Sequence, residues 1–244
     1  MMNYYVYLAL ARGRSNALLT EPDAAGRGGQ ARRYRPRAGA SVASRSPRRR
    51  LLRWLRADRP DQAARGRVVL RDGSKVVIRQ VRSADVPLLA DGFARLSPES
   101  RRLRFLRRKD ELSAAELRYF TDLDHHDHEA LGALDHTGGR GVGVARYVRD
   151  AGDPQAAEIA VTIVDEWQGR GLGTELLAQL SGRARAEGIC RFTALVADDN
   201  AAMRALLRNV GADLVHREPG ALGYEIALAP GGEACCGSLA RLAG

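Results

Sequence analysis

The feature that most limits what this chain can fold into is one junction, Val164-Asp165-Glu166-Trp167-Gln168-Gly169-Arg170-Gly171-Leu172-Gly173-Thr174-Glu175-Leu176-Leu177. An apolar, β-branched run precedes it at Ala160-Val161-Thr162-Ile163-Val164. Apolar residues at helical spacing follow it, at Leu172, Leu176, Leu177 and Leu180. Three alternating glycines therefore fall where a strand meets a helix. Glycine has no Cβ, so the backbone there turns tightly and comes close to a ligand. The first amides of a helix have no intrahelical acceptor, and the helix dipole makes that end positive. Together these make a pyrophosphate site.

Spacing excludes two common nucleotide loops. A P-loop needs a Lys after its second glycine, and this stretch holds no Lys. A dinucleotide fingerprint needs Gly-x-Gly-x-x-Gly, but Thr174 takes the third glycine's place. The polar bend Asp165-Glu166-Trp167-Gln168 also separates the glycines from their strand.

What the stretch does contain is Gln168-x-x-Gly171-x-Gly173. This resembles the Gln/Arg-x-x-Gly-x-Gly/Ala loop of the GNAT N-acetyltransferase superfamily. Asn200 to Ala212 is similar to that family's last helix, with an Asn at its start and Gly211 at its end. The likeness runs from about Lys75 to Leu228. It points in particular to the catalytic domains of bacterial Pat-type protein lysine acetyltransferases, through three stretches: Phe120 to Leu131, Gly141 to Tyr147 and Ala157 to Val161.

The resemblance implies an α/β (α+β) fold with a mixed, mostly antiparallel central sheet flanked by helices. It implies acetyl-CoA as co-substrate and no metal. The pyrophosphate falls on Gln168, Gly169, Arg170, Gly171, Leu172, Gly173 and Thr174. Counted back from Gln168, the acetyl- and pantetheine-contacting backbone falls on Val161, Thr162 and Ile163, with Asn200 beside the pantetheine arm. That backbone is expected to be an edge strand, whose free N–H and C=O groups pair with pantetheine amides as another strand would.

The implied chemistry needs a neutral amine. A lysine amine of pKa about 10.4 is neutral in roughly one molecule in 2,500 at pH 7, so a general base is useful. Glu158 is the candidate, because an apolar strand otherwise has little reason to hold an acid, and a Glu at this position is the base in several relatives. An exposed Glu at a strand start is the plainer alternative. Many relatives carry a Tyr acid seven residues after the helix-starting Asn, and here that position is Leu207. Tyr224 is a possible substitute. The acceptor implied is a protein lysine. A small-molecule amine acceptor and a non-catalytic acyl-CoA sensor are the alternatives.

Along the chain, strands are expected at Lys75–Arg82, Glu129–Leu134, Gly141–Val148, Glu158–Val164, Arg191–Val196, Asp213–His216 and Gly223–Leu228. Helices are expected from a Ser83 cap to Leu96, after Ser97-Pro98, from a Ser113–Glu116 capping box, over Gly171–Glu187 and over Asn200–Asn209. A single β-α-β crossover should join Glu158–Val164 to Arg191–Val196.

The net charge of +10 is unevenly spread. Residues 1–66 hold 15 Arg, no Lys and 4 acids, while residues 67–244 hold 24 basic and 25 acidic residues. The chain thus divides into an Arg-rich leader (1–66), a near-neutral domain (67–230) and a short tail (231–244). Such a leader buries too little apolar surface to order itself and reads as a disordered segment; nucleic-acid binding is not expected of the chain, except that the leader alone carries the charge for it. No apolar run reaches the roughly 18 residues of a membrane span. Cys190, Cys235 and Cys236 offer no zinc spacing and no disulfide framework, which makes a reducing cytoplasm the default compartment. Asp124-His125-His126-Asp127-His128-Glu129 holds three of the five histidines. It reads as a polar loop near the acceptor cleft rather than a metal site.

Overall fold

The computed structural model describes residues 66–137 and 139–228. The expected leader (Gly66 apart), the tail, Cys235 and Cys236 lie outside the described residues. The element order is β1 (Arg67–Val69), β2 (Lys75–Gln80), α1 (Val86–Ala94), α2 (Pro98–Phe105), α3 (Ala114–Thr121), β3 (His128–Asp135), β4 (Gly141–Asp150), β5 (Asp153–Ile163), α4 (Leu172–Ala186), β6 (Arg191–Ala197), α5 (Ala201–Asn209), β7 (Asp213–Glu218) and β8 (Ala221–Ala227). Short 3-10 turns occupy Ser83–Asp85 and Asp165–Trp167. The strands form one sheet in the order β1-β2-β3-β4-β5-β6-β8-β7. Only β5 and β6 pair in parallel, and α4 is the crossover between them.

Two elements depart from expectation. The hairpin strand β1 was not anticipated, although Asp72-Gly73 is a hairpin-turn signal. Gly73 adopts φ +84°, and the Asp72 carboxylate accepts the Ser74 amide at 3.0 Å, closing the turn. Ser83 does not cap α1. Asp85 stands before Val86 instead, its carboxylate held by Arg79 at 2.6 and 2.8 Å and by the Arg82 amide at 2.9 Å. The other caps form as read. Ser97 Oγ accepts the Ser100 amide at 3.1 Å, and Ser113 and Glu116 make the reciprocal box. Cys190, for which spacing offers no bridge, is in a disulfide.

Residues alternate across the sheet and split its faces. Ile159, Val161 and Ile163 turn toward α4, in a core with the fully buried Leu176, Leu177, Leu180, Tyr147 and Phe192. Each such leucine contributes about 2 kcal/mol through burial. Glu158, Ala160 and Thr162 turn toward α1–α3, where Phe93, Leu96, Phe105 and Phe120 form a second, smaller cluster.

The strand expected to lie at an edge is internal. β5 pairs with β4 as far as Ile163, but with β6 only through Ala156↔Arg191, Ala157↔Phe192 and Glu158↔Thr193. Beyond Glu158 the two strands diverge, while β6 stays paired with β8 through Ala197. The splay leaves one side of residues 159–163 without a strand partner. The free backbone groups are therefore present, but in the middle of a sheet.

Candidate active site

The glycine loop is built by local constraint. Gly169 and Gly171 have φ of +75° and +89°, a region that side chains with a Cβ enter only at a cost. Gly171 is the N-cap of α4, so the helix opens at Leu172 with its first amides turned outward. At Gly173 a Cβ would stand 3.2 Å from Leu206 of α5, so the missing side chain lets the two helices approach. Asp165 anchors the loop to α2. Its carboxylate accepts the Ser97 amide at 2.9 Å and the hydroxyls of Ser97 and Ser100 at 2.8 and 2.7 Å. The Gln168 amide donates to the Ile163 carbonyl at 3.1 Å, tying the loop to the end of β5. Asn200 caps α5 by accepting the Met203 amide at 3.0 Å.

These parts meet in one cleft. Glu158, Val161, Thr162, Ile163, Gln168, Gly169, Gly171, Leu172, Gly173, Thr174 and Asn200 all line it. Its walls are the unpaired side of β5 and the start of α4 on one hand, and β6 and α5 on the other. Arg170 is the exception among the expected residues. Its guanidinium turns back to Ser74 Oγ at 3.0 Å, the Glu166 carbonyl at 2.7 Å and Asp72 at 3.3 Å, and lies 4.7 Å over the Trp167 ring. The cation beside the glycines is instead Arg71, whose side chain comes within 3.3 Å of where a Gly171 Cβ would stand. It was missed because the β1–β2 hairpin that delivers it was missed. Ser100, Arg104 and Asn209 also line the cleft and carry no motif.

Glu158 sits on β5 at the point where β6 departs. Burial raises its carboxyl to about 7, against the lowering pull of Arg104 and with a further push from Asp150. A carboxyl there exchanges a proton near neutral pH. Leu207 is fully buried in the main core. Tyr224 is buried on β8 opposite Ala194 and does not line the cleft, which removes it as a proton donor there.

The acid–histidine stretch is a polar loop leading into β3, as read, and does not line the glycine-loop cleft. Asp124 Oδ1 accepts the amides of His126, Asp127 and His128 at 2.8–2.9 Å, winding the loop around one carboxylate. Glu129 is fully buried on the α4 face. It accepts from Gln80 at 2.9 Å and the Ala130 amide at 2.8 Å, pairs with Arg183 of α4, and meets His125 Nδ1 at 2.8 Å. His126 pairs with Glu187 at the end of α4. The His128 ring lies tilted against Tyr119 with centroids 4.9 Å apart, and burial, with Arg146 beside it, pulls its pKa down to about 3. Among the described residues no three His, Cys, Asp or Glu side chains are grouped to hold a metal ion.

Comparisons with known proteins agree with this geometry. Residues 75–213 match the family model described as the acetyltransferase (GNAT) domain. The chain is 32% identical over 165 residues to acetyltransferase Pat of Mycolicibacterium smegmatis, covering 67% of this chain and 49% of that protein. It is 38% identical over 144 residues to an acetyltransferase of Pseudomonas aeruginosa, covering 58% of this chain and 77% of that one. The crystal structure of the GNAT domain of S. lividans PAT superposes with a TM-score of 0.64 at 32% identity, covering 67% of this chain and 97% of that one. The chain thus spans about half the length of its M. smegmatis relative. A sheet splayed between a glycine loop and a capped helix, matched in sequence and in shape, has one reading: this chain belongs to the GNAT acetyltransferase family.

Proposed function

We propose that the chain transfers the acetyl group of acetyl-CoA to a primary amine, with Glu158 as general base and a protein lysine as acceptor. The observation that carries this is the position of Glu158. It stands at the fork of β5 and β6, in the same cleft as the glycine loop, with burial raising its carboxyl to about 7. Acetyl-CoA supplies an activated acyl group when bound. The amides of Gly169, Gly171, Leu172, Gly173 and Thr174, with Arg71, present positive charge to its pyrophosphate. The unpaired side of Val161, Thr162 and Ile163 offers backbone partners to its pantetheine arm, beside the Asn200 cap. The fit is good at each of these positions.

Glu158 then takes the proton that the acceptor amine sheds as its nitrogen forms the new C–N bond and the C–S bond breaks. A backbone N–H on the open side of β5 is a donor for the charge that gathers on the carbonyl oxygen. No Tyr stands at Leu207, so the thiolate takes its proton from water. The protein-lysine acceptor rests on the name and likeness of the S. lividans PAT domain and the Pat relative. A small-molecule amine is the second reading. The cytoplasm, where CoA thioesters are available, is the compartment this proposal needs. A reducing compartment would open the Cys190 disulfide, but that residue lines neither the cleft nor the neighbouring cavity. No helix among the described residues is long and apolar enough to cross a membrane.

The test is acetyl-CoA consumption against a panel of amines and lysine-bearing proteins, with mass spectrometry of the products. Turnover with lysine proteins and not with small amines supports the proposal. Turnover only with small amines replaces the acceptor, and tight CoA binding without turnover on any amine replaces catalysis with sensing.

A further inference from the structure

A second cavity lies on the other side of β5, between α1–α3 and the sheet. It shares Arg104, Ala160 and Thr162 with the cleft, so the two spaces meet at the Glu158 end of the open side of β5. Its walls are otherwise mostly apolar, but three arginines line it; Arg79 is paired with Asp85, which leaves Arg104 and Arg146. Arg146 is 5% exposed and opposes Ala160 across the β4–β5 pair. It donates to the Phe120 carbonyl and meets neutral His128 Nε2, both at 3.3 Å, and lies 4.3 Å over the Phe120 ring. Arg104 is half-buried and lines both spaces, and its one described contact is the Phe105 ring, 5.0 Å away. It makes no hydrogen bond and no ion pair with the described residues.

The charges do not balance. Burial, with a further push from the Arg104 charge, pulls Arg146 down to about 9. The one carboxyl that bears on Arg104 is Glu158, which forms no ion pair with it and is half neutral near pH 7. A buried charge such as that of Arg146 calls for an anionic partner, and a planar guanidinium fork matches a carboxylate in bidentate fashion.

We infer that this cavity receives a carboxylate carried by one of the two substrates, held by Arg104 and Arg146. The inference rests on the acyl-transfer reading above, though not on the protein-lysine acceptor. At this end of the cleft the ligands are the acyl group and the amine, so the carboxylate has two sources. One is the free end of a dicarboxylic acyl thioester such as succinyl-CoA. The other is the α-carboxylate of an amino-acid acceptor. The apolar walls suit the methylenes that link either carboxylate to the reacting atom.

The experiment uses the full chain and two matched pairs. In the acyl arm, calorimetry compares succinyl-CoA with its terminal carboxamide analogue. In the acceptor arm, kcat/KM with acetyl-CoA compares Nα-acetyl-lysine with Nα-acetyl-lysinamide, whose reacting amines are alike. A preference for the carboxylate of about 10-fold or more in one arm is expected, from a charge-assisted bidentate contact. That arm names the source. Arg104→Gln and Arg146→Gln should each remove most of the preference. Equal binding and equal turnover within both pairs would overturn the inference, as would a preference that survives both variants. If neither variant folds, the two wild-type comparisons still decide it. Calorimetry with CoA itself separates the two levels. If CoA fails to bind, the acyl-transfer reading falls and this inference with it. If CoA binds and acetyl transfer proceeds with no carboxylate preference, this inference alone falls.

Discussion

Replacing Glu158 by Gln keeps the shape and the strand pairing of the side chain but removes its ability to accept a proton. Two consequences of opposite sign follow. Burial raises the folded-state pKa from 4.5 to about 7. The folded chain therefore prefers the neutral acid, and this preference is fully expressed below pH 4.5. As pH rises through about 7 the carboxyl ionises in the folded state against that preference, and stability falls to a lower plateau. At about 1.4 kcal/mol per pKa unit the loss is roughly 2–3 kcal/mol, after discounting for the residue's partial exposure. The Gln variant escapes it. Its melting temperature should match wild type near pH 4.5 and exceed it by about 5–10 °C at pH 8. Turnover at pH 7 should nonetheless fall by about 10²–10⁴-fold, the range for a lost general base. The deficit should shrink toward pH 10, where the acceptor amine sheds its proton unaided. Circular dichroism melts at several pH values and a thiol-release assay across pH 6–10 measure both. Full turnover at pH 7 in a folded Gln variant would refute the assignment. A variant less stable than wild type at pH 8, with normal turnover, would show that Glu158 is a packing residue.

Gly171→Val should lower CoA affinity by about 10-fold or more in calorimetry, because a branched residue at φ +89° is strained and crowds both Arg71 and the phosphate approach. Arg71→Ala should weaken CoA by roughly 3–30-fold and flatten the salt dependence of binding, with dephospho-CoA, which keeps the pyrophosphate, equally affected and phosphate-free pantetheine fragments affected less. Glu129→Ala removes the acceptor for Gln80, Arg183 and the Ala130 amide from a fully buried site, and urea unfolding should show a loss of about 3–5 kcal/mol with little change in CoA binding per folded molecule.

Much of this arrangement was legible from residue order alone. The glycines after Ala160–Val164 located the loop, because the need for positive φ leaves a direct mark on sequence. The Ser97-Pro98 and Ser113–Glu116 caps did so as well, since a cap is a local hydrogen bond between near neighbours. What sequence could not show depends on long-range register. The unpaired side of β5 arises from where β6 stops following it, and nothing in Ile159–Ile163 encodes that. Arg71 reaches the loop from roughly a hundred residues upstream, on a hairpin of which one strand is three residues long. The Arg170 side chain is turned away from the cleft by Asp72 and Ser74 on that same hairpin, a direction that its place in the loop does not encode. The acid–histidine stretch read as a polar loop, and sequence did not show that its last residue, the buried Glu129, clasps the sheet to α4 through the part-exposed Arg183.

The fork between β5 and β6 has a mechanical side. The sheet consists of two plates, β1 to β5 and β6-β8-β7, riveted by three residue pairs and the α4 crossover. On the binding mode proposed above, a molecule lying in the fork would bond to the β1–β5 plate through the backbone of β5 and to the other plate through α5, and so act as a further rivet. Amides near Ala156, Ala157 and Glu158 should then exchange with deuterium more slowly once the fork is filled, although nothing touches them directly. The seam between the plates is the place where occupancy is converted into stiffness.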